Sequence, residues 1–179
     1  MSTRIAFLRA VNVGKRRVRN ARLVELFEQL GHRDAWTYIN SGNVIFSASG
    51  SRAALEGAIS AAIERDVGFE VTTFVRSAAE LRDVVGRHPF EPAPGDTYFV
   101  TFLADVPTPS QRRDLAALST DVDTLVVDGR DVHWLMHGKS TDSMLLKRHW
   151  EQILGKNSST SRNMTMLSKL IVKIESQGV

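Results

Sequence analysis

Asn, Ser and Gly gather at two places where apolar, β-prone runs break off, Leu8-Arg9-Ala10-Val11-Asn12-Val13-Gly14-Lys15-Arg16-Arg17 and Thr37-Tyr38-Ile39-Asn40-Ser41-Gly42-Asn43-Val44-Ile45-Phe46. Carboxamides and hydroxyls at strand ends supply donors and acceptors, and glycine lets a ligand approach the backbone. Lys15 and Arg16 add positive charge. Such a set suits an anion, phosphate or carboxylate, held by backbone N–H groups and cations. A local explanation competes with it: Asn and Ser in turns satisfy their own backbone, and Gly42 can serve only to supply positive φ.

The charge distribution favours the same end of the chain. Seven of the 23 basic residues (Arg4, Arg9, Lys15, Arg16, Arg17, Arg19, Arg22) precede the first acidic residue, Glu25, although the whole chain carries only +3. A basic segment of this kind suits a phosphate-containing small molecule or nucleic acid, and equally a solvated loop and helix start.

Other chemistry finds less support. The chain has no cysteine, which excludes disulfides, thiolate metal sites and a cysteine nucleophile. A P-loop needs glycine five residues before Gly14, where Arg9 stands. His133 and His137 fall on one strand face about 13 Å apart, too far to share a metal. His32, His88 and His149 are isolated, so neither a metal nor a cofactor is expected. Ser41 has no histidine base in either motif, and Asp121, Asp123, Asp128 and Asp131 look like turn residues around a hairpin without calcium-loop spacing. Phe7 and Phe46 are assigned to the core rather than to an RNA-stacking face. Trp36, Trp134 and Trp150 are assigned to core or anchoring roles. No signal-peptide pattern opens the chain, and its apolar runs fall short of the ~20 residues of a membrane span. A cytoplasmic protein without a membrane partner is expected.

The elements that must position these groups follow from periodicity. Arg4 to Val11 predicts a strand. Asn20 is expected to cap a helix to Leu30, stopped by Gly31. Ala35 to Asn40 and Asn43 to Ser47 predict a hairpin. Ser51 opens a helix to about Asp66 with Leu55, Ile59, Ala62 and Ile63 inward. Phe69 to Arg76 predicts a strand, and Ser77 to Glu80 a capping box opening a helix to about Arg87. Pro89 to Gly95 holds three of the five prolines and reads as a linker. Beyond it come a strand Thr97 to Leu103, a helix capped by Thr108 with Pro109 and Gln111, and a hairpin of Leu125 to Val127 with Val132 to Met136. A helix Thr141 to Leu154, a polar stretch able to hold a short strand (Lys156 to Asn163), and a helix Met164 to Ile174 complete the chain.

The β-α-β-β-α order thus occurs twice. The fold class expected is α+β: two ferredoxin-like, split-βαβ domains packed side by side, over residues 1–88 and 96–179 with the linker 89–95 between them, a single larger sheet being the alternative. In that order the first strand lies antiparallel beside the third. The break after Val11 must then meet the break at Asn40-Ser41-Gly42.

The motifs LRAVNVG, TYINSGNVIF and the later SSTSRN resemble a widespread, mainly bacterial family, domain of unknown function sixteen ninety-seven. The resemblance implies two ferredoxin-like domains and no established activity. Its pattern marks Leu8, Arg9, Asn12, Val13 and Gly14, then Tyr38, Ser41, Gly42 and Asn43, then Thr160, Arg162 and Asn163. This chain departs from the pattern at Ala10 (usually Gly), Lys15 (often a second Gly), Asn40 (usually Gln) and Met164 (usually Trp). The resulting expectation is an anion-binding protein whose site draws on Asn12, Gly14, Lys15, Arg16, Ser41, Gly42, Asn43, Thr160, Arg162 and Asn163. An enzyme acting on a small anionic substrate and a protein-interaction module are the alternatives. No reaction and no oligomeric state are assigned.

Overall fold

Strand β1 (Ser2–Arg9) is the hub of a four-stranded antiparallel sheet completed by β2 (Arg33–Thr37), β3 (Asn43–Ala48) and β4 (Thr72–Ser77), in the order β2-β3-β1-β4. Helices α1 (Asn20–Gln29) and α2 (Arg52–Val67) cover one face. There Ala6, Leu8, Val44, Phe46 and Val75 meet Leu23, Leu26 and Phe27 of α1 and Leu55, Ile59 and Ile63 of α2. Alternate residues point the other way, and Ile5, Phe7, Ile45 and Phe74 are buried too. That burial on both faces explains the continuous apolar run of β1. Phe7 and Phe46 are core residues, as expected. The computed structural model describes residues 1–12, 14, 17–39 and 42–177. The chain divides into two compact units, Met1–Leu81 with Lys173–Val179, and Arg82–Val172.

Local signals mostly set the boundaries. Gly31 stops α1 with φ +79°, its N–H donating to Glu28 O and that of His32 to Phe27 O. Ser51 Oγ accepts from Ala54 N–H at the start of α2, and Gly68 ends it with φ +73°. Ser77 and Glu80 form the expected capping box ahead of α3 (Ala78–Gly86). One cap differs. Arg19, extended at ψ 141°, holds the N-cap position of α1 and makes no side-chain capping bond, and Asn20 is the first helical residue.

The second unit repeats the arrangement. Its sheet runs β6-β7-β5-β8, from β5 (Thr97–Leu103), β6 (Asp123–Asp128), β7 (Asp131–Met136) and β8 (Ser159–Asn163), all antiparallel. Its helices are α4 (Pro109–Ala116), α5 (Lys147–Leu154) and, up to Val172, α6 (Met164–Ser176). A core of Leu103, Leu115, Leu125, Val132 and Trp150 includes Trp134 at its margin. Asp123 is no turn residue. It is fully buried at the start of β6 and accepts from Trp134 Nε1 at 2.8 Å. Two separate sheets, each antiparallel, replace the single larger sheet of the alternative.

The helix expected over Thr141 to Leu154 starts only at Lys147, after a single 3₁₀ turn at Ser140–Asp142. Short polar side chains take the backbone's bonds first: Lys139 N–H donates to Asp142 Oδ2 and Leu145 N–H to Ser143 Oγ. This competition disfavours helix. Among the described residues no helix is long and apolar enough to cross a membrane.

Candidate functional site

Because β1 and β3 are antiparallel neighbours, the end of β1 lies beside the start of β3, with Phe7 opposite Asn43. Leu8 N–H donates to Gly42 O at 2.8 Å. Gly42 has φ +69°, and a Cβ there would stand 2.7 Å from Val11 Cγ2 and 3.2 Å from Leu8 Cβ. The two Asn-rich segments therefore touch, and only glycine fits at the contact. Asn43 is fully buried. Its Nδ2 donates to Tyr38 O at 3.1 Å while Tyr38 N–H donates to Asn43 O at 3.0 Å, closing the β2–β3 hairpin. Asn12 Oδ1 accepts from Val18 N–H at 3.0 Å, tying the end of the first motif to the segment that enters α1. Gly14 is exposed with φ +63°. Lys15, Arg16 and Ser41, with Asn40, lie outside the described residues.

Backbone strain concentrates at this end of the sheet. Ala10 has φ +64° and Ile39 φ +50°. A side chain in the left-handed region is unfavourable by about 1–3 kcal/mol, and most so for a β-branched residue.

An open cavity of about 730 Å³ starts at the same end. Arg17, Arg19 and Arg22 line it on the α1 side, Asp66, Val67 and Phe69 on the α2 side. Arg22 is engaged: its Nε lies 3.2 Å and its Nη2 2.5 Å from Asp66, and its Nη1 is 2.7 Å from Glu25. These bonds raise the Arg22 guanidinium further, and the bond from Arg22 lowers Asp66. Arg17 and Arg19 are exposed, and neither guanidinium has a hydrogen-bond or ion-pair partner among the described residues. The basic run was visible in the sequence. That Asp66, 44 positions away, would pair with Arg22 was not, because no local pattern links them.

The residues marked in the second unit stand together on β8. Thr160 and Arg162 are buried, and Arg162 Nη1 donates to Thr160 Oγ1 at 2.8 Å and to Ser161 O at 2.9 Å. Burial brings the Arg162 guanidinium down to about 10. Asn163 Oδ1 accepts from Thr165 N–H at 2.9 Å and Met166 N–H at 3.4 Å, opening α6. One pair escaped the sequence reading: Tyr98 Oη and His133 Nδ1 are 2.6 Å apart in the interior. His133 Nε2 has no partner among the described residues. Burial lowers His133 and raises Tyr98. Only the β5–β7 register, which sets Tyr98 against Leu135, brings them together. Among the described residues no group of three or more His, Asp or Glu is placed to hold a metal ion.

A family described as Protein of unknown function (DUF1697) matches residues 1–133. The chain belongs to this family. The matched residues contain both Asn-rich motifs and end before Thr160, so membership bears on the first site and not on β8. No curated protein matches. Among solved structures, the conserved bacterial protein SP0830 from Streptococcus pneumoniae is similar at 17% identity and a TM-score of 0.71, over 98% of this chain and 99% of that one. That likeness is one of fold, and no function is established by either match.

Proposed function

We propose that this protein binds an anionic ligand, phosphorylated, nucleotide-like or nucleic acid, at the end of the first sheet where the two motifs meet. The observation that carries the reading is the pair of left-handed, non-glycine residues, Ala10 and Ile39, flanking the joined loops. Strain of this kind persists where surrounding structure over-determines it, and it clusters at binding sites. Asn12, Gly42 and Asn43 hold the loops in place. Gly14, Lys15, Arg16 and Ser41 provide the contacts, through open backbone, cations and a hydroxyl. Thr160, Arg162 and Asn163 are a second anion-binding element in the same reading. Each unit is read as a ferredoxin-like plait, with domains 1–88 and 96–179 joined by 89–95, in a cytoplasmic protein. The strand orders support the plait reading.

The test is thermal denaturation in the presence of inorganic phosphate, polyphosphate, 5′-mononucleotides and a single-stranded oligonucleotide. A ligand at a hundred times its Kd should raise Tm by about 5–10 °C. The variant carrying Lys15→Ala and Arg16→Ala should keep its own Tm and lose that shift. No shift with any member of the panel would sink the proposal.

A further inference from the structure

The geometry points to a phosphate monoester of mononucleotide size, bearing an aromatic group, as the ligand of the arginine-lined cavity between α1 and the end of α2. The assignment rests on the anion-binding reading above, adds Arg17 and Arg19, next along the chain from Lys15 and Arg16, to its contacts, and narrows the ligand to one chemical class.

Size comes first. About 730 Å³ lies within the range of small-molecule sites. A nucleic acid strand needs a groove that continues, with a basic track along it. Here the groove is interrupted. A second cavity of about 380 Å³ lies farther along, lined by Leu26, Leu30 and Arg65, and both cavities share Arg22 and Asp66. The Arg22–Asp66 ion pair therefore forms a wall between them, and a strand cannot pass it without breaking that pair.

Charge fixes the anion. Arg22 is held by Asp66 and Glu25, which leaves Arg17 and Arg19 to meet a ligand. Two guanidiniums match a phosphate monoester, which carries about −1.5 to −2 at neutral pH, and present the forked donors suited to phosphate oxygens. A triphosphate would bring additional negative charge into a cavity that already contains two carboxylates.

The remaining wall selects the rest of the molecule. Val18, Val67 and Phe69 present apolar surface beside the arginines, suited to a planar ring. Asn12 acts as a positioning residue: its bond to Val18 N–H lies at the midpoint of Arg17-Val18-Arg19 and fixes the segment that aims both guanidiniums. The first family motif thereby gains a role in shaping this cavity.

Calorimetric titration of the full chain tests the assignment with inorganic phosphate, the four 5′-ribonucleoside monophosphates, adenosine, adenosine triphosphate and a ten-nucleotide single strand. At least one monophosphate should bind tenfold or more tightly than phosphate, adenosine, the triphosphate and the strand. Arg17→Ala with Arg19→Ala, both at exposed positions, should weaken monophosphate binding at least tenfold with Tm unchanged. Phe69→Leu should weaken the monophosphate and leave inorganic phosphate unaffected. Monophosphates that bind no tighter than phosphate overturn the assignment, as does an arginine double variant that binds normally. If Lys15→Ala with Arg16→Ala abolishes anion binding while Arg17→Ala with Arg19→Ala does not, the general anion reading stands and this cavity is not its site. If nothing in the panel binds, both fall.

Discussion

At Ala10 the backbone is left-handed, φ +64°, with a methyl group attached, while at Gly42 it is equally left-handed, φ +69°, with no side chain and no room for one. Ala10→Gly should stabilise the protein by about 1 kcal/mol, whereas Gly42→Ala should cost about 1–3 kcal/mol from backbone strain alone, with the contacts to Val11 and Leu8 adding to it. Urea denaturation of both variants checks the pair, and a loss of stability in Ala10→Gly would show that the methyl group is not the source of strain. Gly42 was legible as a turn residue, and the strand order placed its break beside the one after Val11; the close fit of the Val11 methyl group against Gly42 was not legible, since it depends on side-chain packing. Nothing about alanine announces positive φ.

Elements were legible where their signals are local. The inward residues of α2, the capping boxes Ser77/Glu80 and Thr108/Gln111, and the limits of β5 all follow from neighbours a few positions apart. Side-chain bonds to sheet edges were not legible, because they join distant residues. Strand β4 is an edge, and its outward N–H groups are all taken: Thr73 donates to Ser60 Oγ, Val75 to Glu56 Oε1, Ser77 to Glu80 Oε2. Edge strand β6 is treated alike, with Asp123 N–H donating to Thr120 Oγ1, Leu125 N–H to Ser119 Oγ, and Arg112 Nη1 to Val127 O. Edge strand β2 is broken by a register shift between Arg33 and Trp36, with Asp34 at φ +53°. Such devices keep unpaired edges from accepting foreign strands. Glu56→Ala should cost about 1–3 kcal/mol by leaving Val75 N–H without its acceptor, and should speed hydrogen exchange at Val75. Glu56→Gln, which retains an acceptor, should lose much less. Unchanged protection of Val75 in the alanine variant would refute this role.

Across the whole molecule, each unit holds a histidine that burial keeps below its ordinary range, half-buried His32 in the first and fully buried His133 in the second. For both, the folded state disfavours the proton that the unfolded chain accepts below about pH 6.5. Their contribution to stability is therefore complete above that pH and is lost as pH falls from there toward the folded values. Unfolding free energy should decline between pH 7 and pH 5, at no more than about 1.4 kcal/mol per pH unit for each histidine. His133→Gln, which preserves a partner for Tyr98, should flatten that decline, and an identical slope in variant and parent would contradict it. The repeated strand order was readable at this scale because it needs only the sequence of element types. The buried Tyr98–His133 pair needs a register and was not readable. The edge bonds have a further consequence in time. Ser60 and Glu56 precede the strand β4 that they cover, and Arg112, Ser119 and Thr120 precede β6. A chain emerges from the ribosome leading end first, so in both halves these guards exist before the edge they protect, and only Glu80, three residues past the end of β4, arrives after it; the nascent protein thus displays little of either edge to its neighbours on a crowded polysome.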